Sequence, residues 1–176
     1  AGGGVIVPAG LFEPDIREVW LEIGFGAGEH LAWQAARNPD VGMIGAEPYL
    51  NGVARLLSEI ADERPQNIRI HADDVRPLLP RFADASLARV FILFPDPWPK
   101  ARHNRRRLIN TPLLDTLARL MGDGAELRVA TDDQDYLVWI LRHLQAHPEF
   151  VWAARGADDW RHRPGDWPDT RYEDKN

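Results

Sequence analysis

Val19-Trp-Leu-Glu-Ile-Gly24-Phe-Gly26-Ala-Gly28-Glu-His-Leu31 is the stretch that decides the fold. Val19 to Ile23 is mostly apolar and reads as a buried strand. Three alternate glycines then allow a tight turn, and a helical pattern follows from Gly28 to Arg37, stopping at Asn38-Pro39. Such a turn sets unpaired helix N–H groups beside an open backbone, where a polar ligand can approach. Alone it is a weak signal. Glu47 strengthens it, ending a second apolar run, Val41 to Ala46, about 20 residues further on, where a carboxylate accepts both hydroxyls of a ribose.

The alternation continues along the chain. Tyr49 to Glu63 reads as a helix ending before Pro65, and Asn67 to His71 as a short strand. Arg89 to Phe94 is the most continuously apolar run and is expected at the centre of the sheet. Thr111-Pro112 opens a helix to about Met121, with proline at its first position. Gly124 to Ala130 is a strand, Asp133 to Ala146 a helix, and Phe150-Val-Trp-Ala153 starts a sixth strand. Strands alternating with helices predict an α/β protein built on a parallel sheet. Residues 1–18 form an irregular N-terminal segment and residues 154–176 an irregular tail rich in Arg, Asp, Pro and Trp. A sheet ending on the sixth strand would have a bare edge, so the natural chain is expected to continue.

At 176 residues the chain is most economically one domain, with 44% hydrophobic and 27% charged residues. No apolar run approaches the roughly 20 residues that cross a bilayer, and the N-terminus lacks a signal-peptide pattern. The absence of cysteine excludes disulfides, thiol nucleophiles and thiolate-bound zinc, and it fits a reducing cytoplasm. His143 and His147 have i,i+4 spacing, but Pro148 puts them at a helix end, where interaction with the helix dipole is expected rather than a metal. Net charge is −6, yet Lys100, Arg102, Arg105, Arg106 and Arg107 fall within eight residues. Screening limits each charge to roughly 8–10 Å, so this local patch can engage phosphates on an acidic protein.

The second constellation is Phe94-Pro95-Asp96-Pro97-Trp98-Pro99-Lys100-Ala101-Arg102-His103-Asn104. Prolines on both sides restrict the backbone at Asp96, which stands at the carboxyl end of a buried strand, where open α/β sheets bind ligands. Trp98 can stack on a base, and the cations beyond it, Arg102, Arg105, Arg106 and Arg107, are assigned to RNA phosphates. Trp160 and Trp167 stack on nucleotides or plug the tail onto the sheet. Trp20, Trp33 and Trp139 lie in apolar periodic segments and are expected in the core.

Glu22-Ile-Gly-Phe-Gly26, the Phe94 to Asn104 segment, Ala130-Thr-Asp132 and Thr170-Arg-Tyr-Glu173 stand in the order that resembles bacterial tRNA (guanine-N7)-methyltransferases, from about Val19 to Glu173. The resemblance implies a doubly wound, mostly parallel sheet of the Rossmann-like class I methyltransferase type, lacking its last strand in this chain. It implies S-adenosylmethionine as cofactor, bound by the turn of Gly24, Gly26 and Gly28 and by Glu22, Glu47, Asp96 and either Asp73 or Asp74. Asp96 is also the implied catalytic residue. Lys100, Asp132, Thr170, Arg171, Tyr172 and Glu173 would contact the substrate, a tRNA guanosine at variable-loop position 46. The implied protein works in the cytoplasm as a monomer or homodimer. Three rivals remain: a methyltransferase acting on another RNA base, a non-catalytic RNA-binding module, and a nicotinamide-dependent oxidoreductase. The last spaces its glycines G-x-G-x-x-G rather than the G-x-G-x-G found here and leaves the Asp96 segment unexplained.

Overall fold

A computed structural model describes residues 4–162 and 164–168. Its elements are β1 (Glu18–Ile23), α1 (Glu29–Arg37), β2 (Val41–Ala46), α2 (Leu50–Glu59), β3 (Ile68–His71), β4 (Leu87–Leu93), α3 (Thr111–Leu120), β5 (Met121–Ala130), α4 (Gln134–Ala146) and the short α5 (Asp158–Arg161). The five strands form one parallel sheet in the order β3-β2-β1-β4-β5. The order reverses at β1, so the crevice at its carboxyl end is the topological switch point of a Rossmann-like sheet. β1, rather than β4, is therefore the middle strand. β4 is nonetheless paired on both sides, which accounts for its apolar run.

Side-chain alternation divides the core. Val19, Leu21 and Ile23 of β1 join Val90, Ile92, Leu114, Leu117 and Ile140 on the face covered by α3 and α4. Trp20 joins Leu31, Met43, Leu56 and Phe91 on the face covered by α1 and α2. Burying each large apolar side chain contributes about 1.5–3 kcal/mol relative to exposure. One close approach fixes a residue type: a Cβ on Gly52 would lie 2.2 Å from the Gly26 carbonyl oxygen, so glycine there lets α2 seat on the turn after β1.

Three elements differ from expectation. The α2 helix ends at Glu59, and the backbone turns through Ala61–Glu63 to Arg64 at a φ of 46°. β5 begins at Met121, because Gly124, at a φ of 79°, is taken into the strand opposite a register shift in β4. Among the described residues Phe150 to Ala153 pairs with no strand; the Phe150 ring packs against the core and beside His147, while Val151 and Trp152 are exposed, so Phe150 alone plugs the sheet edge and the run does not extend it. At the N-terminal end a 3-10 turn spans Pro8–Leu11 and Ile6 bridges to Phe82. No helix among the described residues is long and apolar enough to cross a membrane.

Candidate active site

Every strand delivers a sequence-predicted residue to the same rim of the sheet. Gly24 follows β1, Glu47 follows β2, Asp73 and Asp74 follow β3, Asp96 follows β4 and Asp132 follows β5. A cleft at the switch point is lined by Glu22, Gly24, Phe25, His30, Leu93 and Phe94, joining the glycine turn to the segment before Asp96.

The turn depends on backbone that only glycine adopts freely: Gly24, Gly26 and Gly28 have φ of 77°, 57° and 85°. Glu47 braces it from β2. This buried carboxylate accepts the Gly26 N–H through one oxygen and the Tyr49 N–H through the other, both at 2.9 Å. Each oxygen keeps a lone pair for a further donor. Glu22 is 2% exposed, and one of its oxygens lies 2.7 Å from His30 Nδ1.

Beyond β3 the two aspartates differ. Asp74 accepts hydrogen bonds from the backbone and guanidinium of Arg76, and that side-chain hydrogen bond holds its carboxyl below the usual aspartate range. Asp73 is exposed and, among the described residues, accepts only the neighbouring Asp74 N–H.

Asp96 is exposed, with no hydrogen bond or ion pair among the described residues. Its loop is held at both ends. The Phe94 N–H donates to the Ala130 carbonyl at 2.8 Å, and Arg107 Nε donates to the Pro97 carbonyl at 2.9 Å. Phe94 and Trp98, flanking the Pro-Asp-Pro unit, both have positive φ, 50° and 45°.

Arg107 requires a correction. It was expected on phosphate, but its side chain is 1% exposed and paired to the Asp135 carboxylate. The guanidinium lies 5.1 Å from both the Tyr136 and the Trp139 ring centroids. Burial pushes the Tyr136 phenol up, so its hydroxyl stays protonated while accepting the Ile109 N–H. Arg107 is a clamp on the Asp96 loop, inaccessible to a polyanion. Lys100, Arg102, Arg105 and Arg106 are exposed on the 3-10 segment Ala101–Arg106 and at its start. Arg106 sits over the Trp98 ring at 4.9 Å, and the His103 ring meets the same indole edge-on at 5.9 Å.

The tail crosses the α1 face of the sheet. Asp166 pairs with Arg128 of β5 at 2.8 Å and with Arg89 of β4 at 3.4 Å, and Arg128 and Arg89 share Glu126. Trp167 packs on His30 at 5.2 Å, the plugging role of the two expected. Nothing is described of the Trp160 side chain, and Thr170, Arg171, Tyr172 and Glu173 lie outside the described residues. The Arg128 hydrogen bond holds the Asp166 carboxyl below the usual aspartate range. The contribution of this ion pair to holding the tail is therefore fully present above about pH 4 and is lost as pH falls through the lowered value. Amide exchange at Gly165, Asp166 and Trp167, corrected for its intrinsic rate, should accelerate only in that acid window; acceleration already at neutral pH would count against this latch.

Among the described residues, no group of three His, Asp or Glu side chains is placed to hold a metal ion. His143 Nδ1 lies 2.8 Å from the Trp139 carbonyl, and His147 Nε2 lies 3.1 Å from an Asp115 carboxylate oxygen.

The family model described as "Putative methyltransferase" matches residues 17–175. A Rhodospirillum rubrum protein named tRNA (guanine-N(7)-)-methyltransferase is 55% identical over 168 residues, covering 96% of this chain and 66% of its own length. One of the same name from Paramagnetospirillum magneticum is 53% identical, covering 97% of this chain and 71% of its own. The chain belongs to the tRNA (guanine-N7)-methyltransferase family. It spans about two thirds of the length of these relatives. Among solved structures, a precorrin-6y C5,15-methyltransferase from Geobacter metallireducens superposes with a TM-score of 0.57 at 14% identity, over 79% of this chain and 67% of that one, a likeness of fold.

Sequence reasoning missed three residues that the structure places at or behind the cleft. His30 and Gln34, one helical turn apart, were passed over because α1 read only as the helix after a glycine turn, although their i,i+4 spacing was visible. The contact of Asp166 with Arg89 and Arg128 had no sequence signal, since it spans 77 and 38 positions.

Proposed function

We propose that this chain methylates N7 of a guanosine in tRNA, at variable-loop position 46, using S-adenosylmethionine. The observation behind this reading is Asp96: an accessible carboxylate in a clamped loop beside the glycine cleft, followed by Trp98 and a run of exposed cations.

The cleft suits the cofactor. A Cβ on Gly24 would meet no atom within 4 Å, leaving open space over the turn. We assign Glu22 and the turn of Gly24, Gly26 and Gly28 to the amino-acid end, Glu47 to the ribose and Asp73 to the adenine amino group. Asp73 is preferred because Arg76 occupies Asp74. Bound there, S-adenosylmethionine supplies an electrophilic methyl on a sulfonium.

Guanine N7 is a bare lone pair, so bond formation needs no general base. Asp96 instead accepts the guanine N1–H and N2–H₂, selecting guanine. Those hydrogen bonds strengthen as the purine becomes cationic, which stabilises the transition state more than the ground state. Trp98 offers a stacking surface. Lys100 and Asp132 flank the same loop and contact the substrate, as do Thr170, Arg171, Tyr172 and Glu173.

Arg102, Arg105 and Arg106 position phosphates. Each phosphate contact contributes about 0.7–0.9 to the salt slope of binding, so Arg105→Gln with Arg106→Gln should lower the slope by roughly 1.5. An unchanged slope would assign these arginines to surface ion pairs. The reading as a whole is tested by methyl transfer from labelled S-adenosylmethionine to unmodified tRNA, followed by nucleoside analysis. N7-methylguanosine, absent when the target guanosine is replaced, is the expected product; another methylated base would move the activity to a different acceptor.

A further inference from the structure

A chain of buried polar groups runs from the tail to Glu22, and its chemistry fixes each proton. The Asp166 carbonyl can only accept, so the Gln34 atom 2.7 Å from it is the amide nitrogen. That nitrogen also lies 3.2 Å from His30 Nε2. Its second hydrogen therefore points at an imidazole lone pair, leaving the proton of neutral His30 on Nδ1. From there it is donated to one Glu22 oxygen at 2.7 Å. His30, Gln34 and Glu22 are 3%, 1% and 2% exposed, so water does not substitute for these bonds. The His30 ring is held between Phe91 at 4.6 Å and Trp167 at 5.2 Å. The tail end of the chain is anchored separately, through Asp166 to Arg128 and Arg89.

We propose that His30 is a positioning residue for Glu22, and that seating of Asp166–Trp167 sets its tautomer, coupling the tail to cofactor affinity. This rests on the reading that Glu22 contacts the cofactor. With the tail seated, one Glu22 oxygen is committed to His30 and the other is left for the ligand. With the tail lifted, Gln34 loses its carbonyl acceptor and His30 its contact with the Trp167 ring. The Nδ1–H tautomer is then no longer enforced, and Glu22 loses its orientation. Coupling between sites is reciprocal, so cofactor binding must in turn hold the tail down.

The test is calorimetric titration of the full chain with S-adenosylhomocysteine, with an imidazole nitrogen NMR spectrum of each variant. Glu22→Ala should weaken binding about 10-fold or more, since a hydrogen bond to a charged group is lost. His30→Phe, Gln34→Leu and Trp167→Ala should each weaken it roughly 5- to 10-fold, within the usual range of site-to-site coupling. His30→Phe combined with Trp167→Ala should be no weaker than His30→Phe alone, because both act through one hydrogen bond. His30→Asn, whose amide can replace the Nδ1–H donor, should restore most of the affinity. Gln34→Leu should convert His30 from a single Nδ1–H form to a mixture of tautomers, a change that loss of packing alone would not produce. Wild-type affinity in Gln34→Leu and Trp167→Ala, with Glu22→Ala impaired, would overturn the coupling and leave the cofactor site standing. Wild-type affinity in Glu22→Ala would overturn the site assignment itself.

Discussion

Asp96→Asn leaves a folded protein that binds S-adenosylhomocysteine within about tenfold of the parent yet loses roughly 100-fold or more in turnover, the usual cost of removing one group that stabilises developing charge. The fold is spared because Asp96 is exposed and makes no hydrogen bond or ion pair among the described residues. Turnover suffers because an amide presents one acceptor where the carboxylate presents two, and it has no negative charge to offset the cationic purine. Single-turnover methylation and calorimetry on the same preparation separate the two effects. Parental turnover in the variant would remove Asp96 from the chemistry.

Arg107→Met lowers stability by about 3 kcal/mol, through a lost hydrogen bond to Pro97, a lost ion pair and lost contact with two rings. For a chain of this size that corresponds to a fall in melting temperature of roughly 6–12 °C. Arg107→Lys recovers part of it, because an ammonium keeps the charge without the planar fork that reaches Pro97 and Asp135 together. Neither change should alter the salt slope of tRNA binding, since the side chain is closed to solvent. A thermal melt matching the parent's, or a slope reduced as for Arg105 and Arg106, would return Arg107 to the phosphate contacts.

Much of this was legible in residue order. The glycine turn, Glu47 and the proline-flanked Asp96 each depend on local backbone rules, and the structure puts all three at strand ends on one rim. The family resemblance rested on the same local motifs. What could not be read depends on distance along the chain. Arg107 looks identical to Arg105 and Arg106 in sequence, and only the packing of α4 against its loop turns it inward, onto Asp135, Tyr136 and Trp139. Phe150 to Ala153 has the composition of a strand, but β strands need a partner as well as composition, and Phe150 found the core first. The part His30 plays could not be read either, because it depends on Glu22, eight positions back, and, through Gln34, on Asp166, far ahead.

The left-handed backbone at Phe94 and Trp98 has a consequence for anyone improving this protein. Non-glycine residues held there cost about 1–3 kcal/mol each, so a screen for heat resistance would favour glycine or asparagine at both positions. Such winners should outlast the parent in a hot assay and turn over more slowly, because glycine widens the range of conformations open to the Pro-Asp-Pro unit, which the Phe94 and Arg107 hydrogen bonds otherwise hold in one arrangement. Selection for durability and selection for turnover should pull this loop in opposite directions.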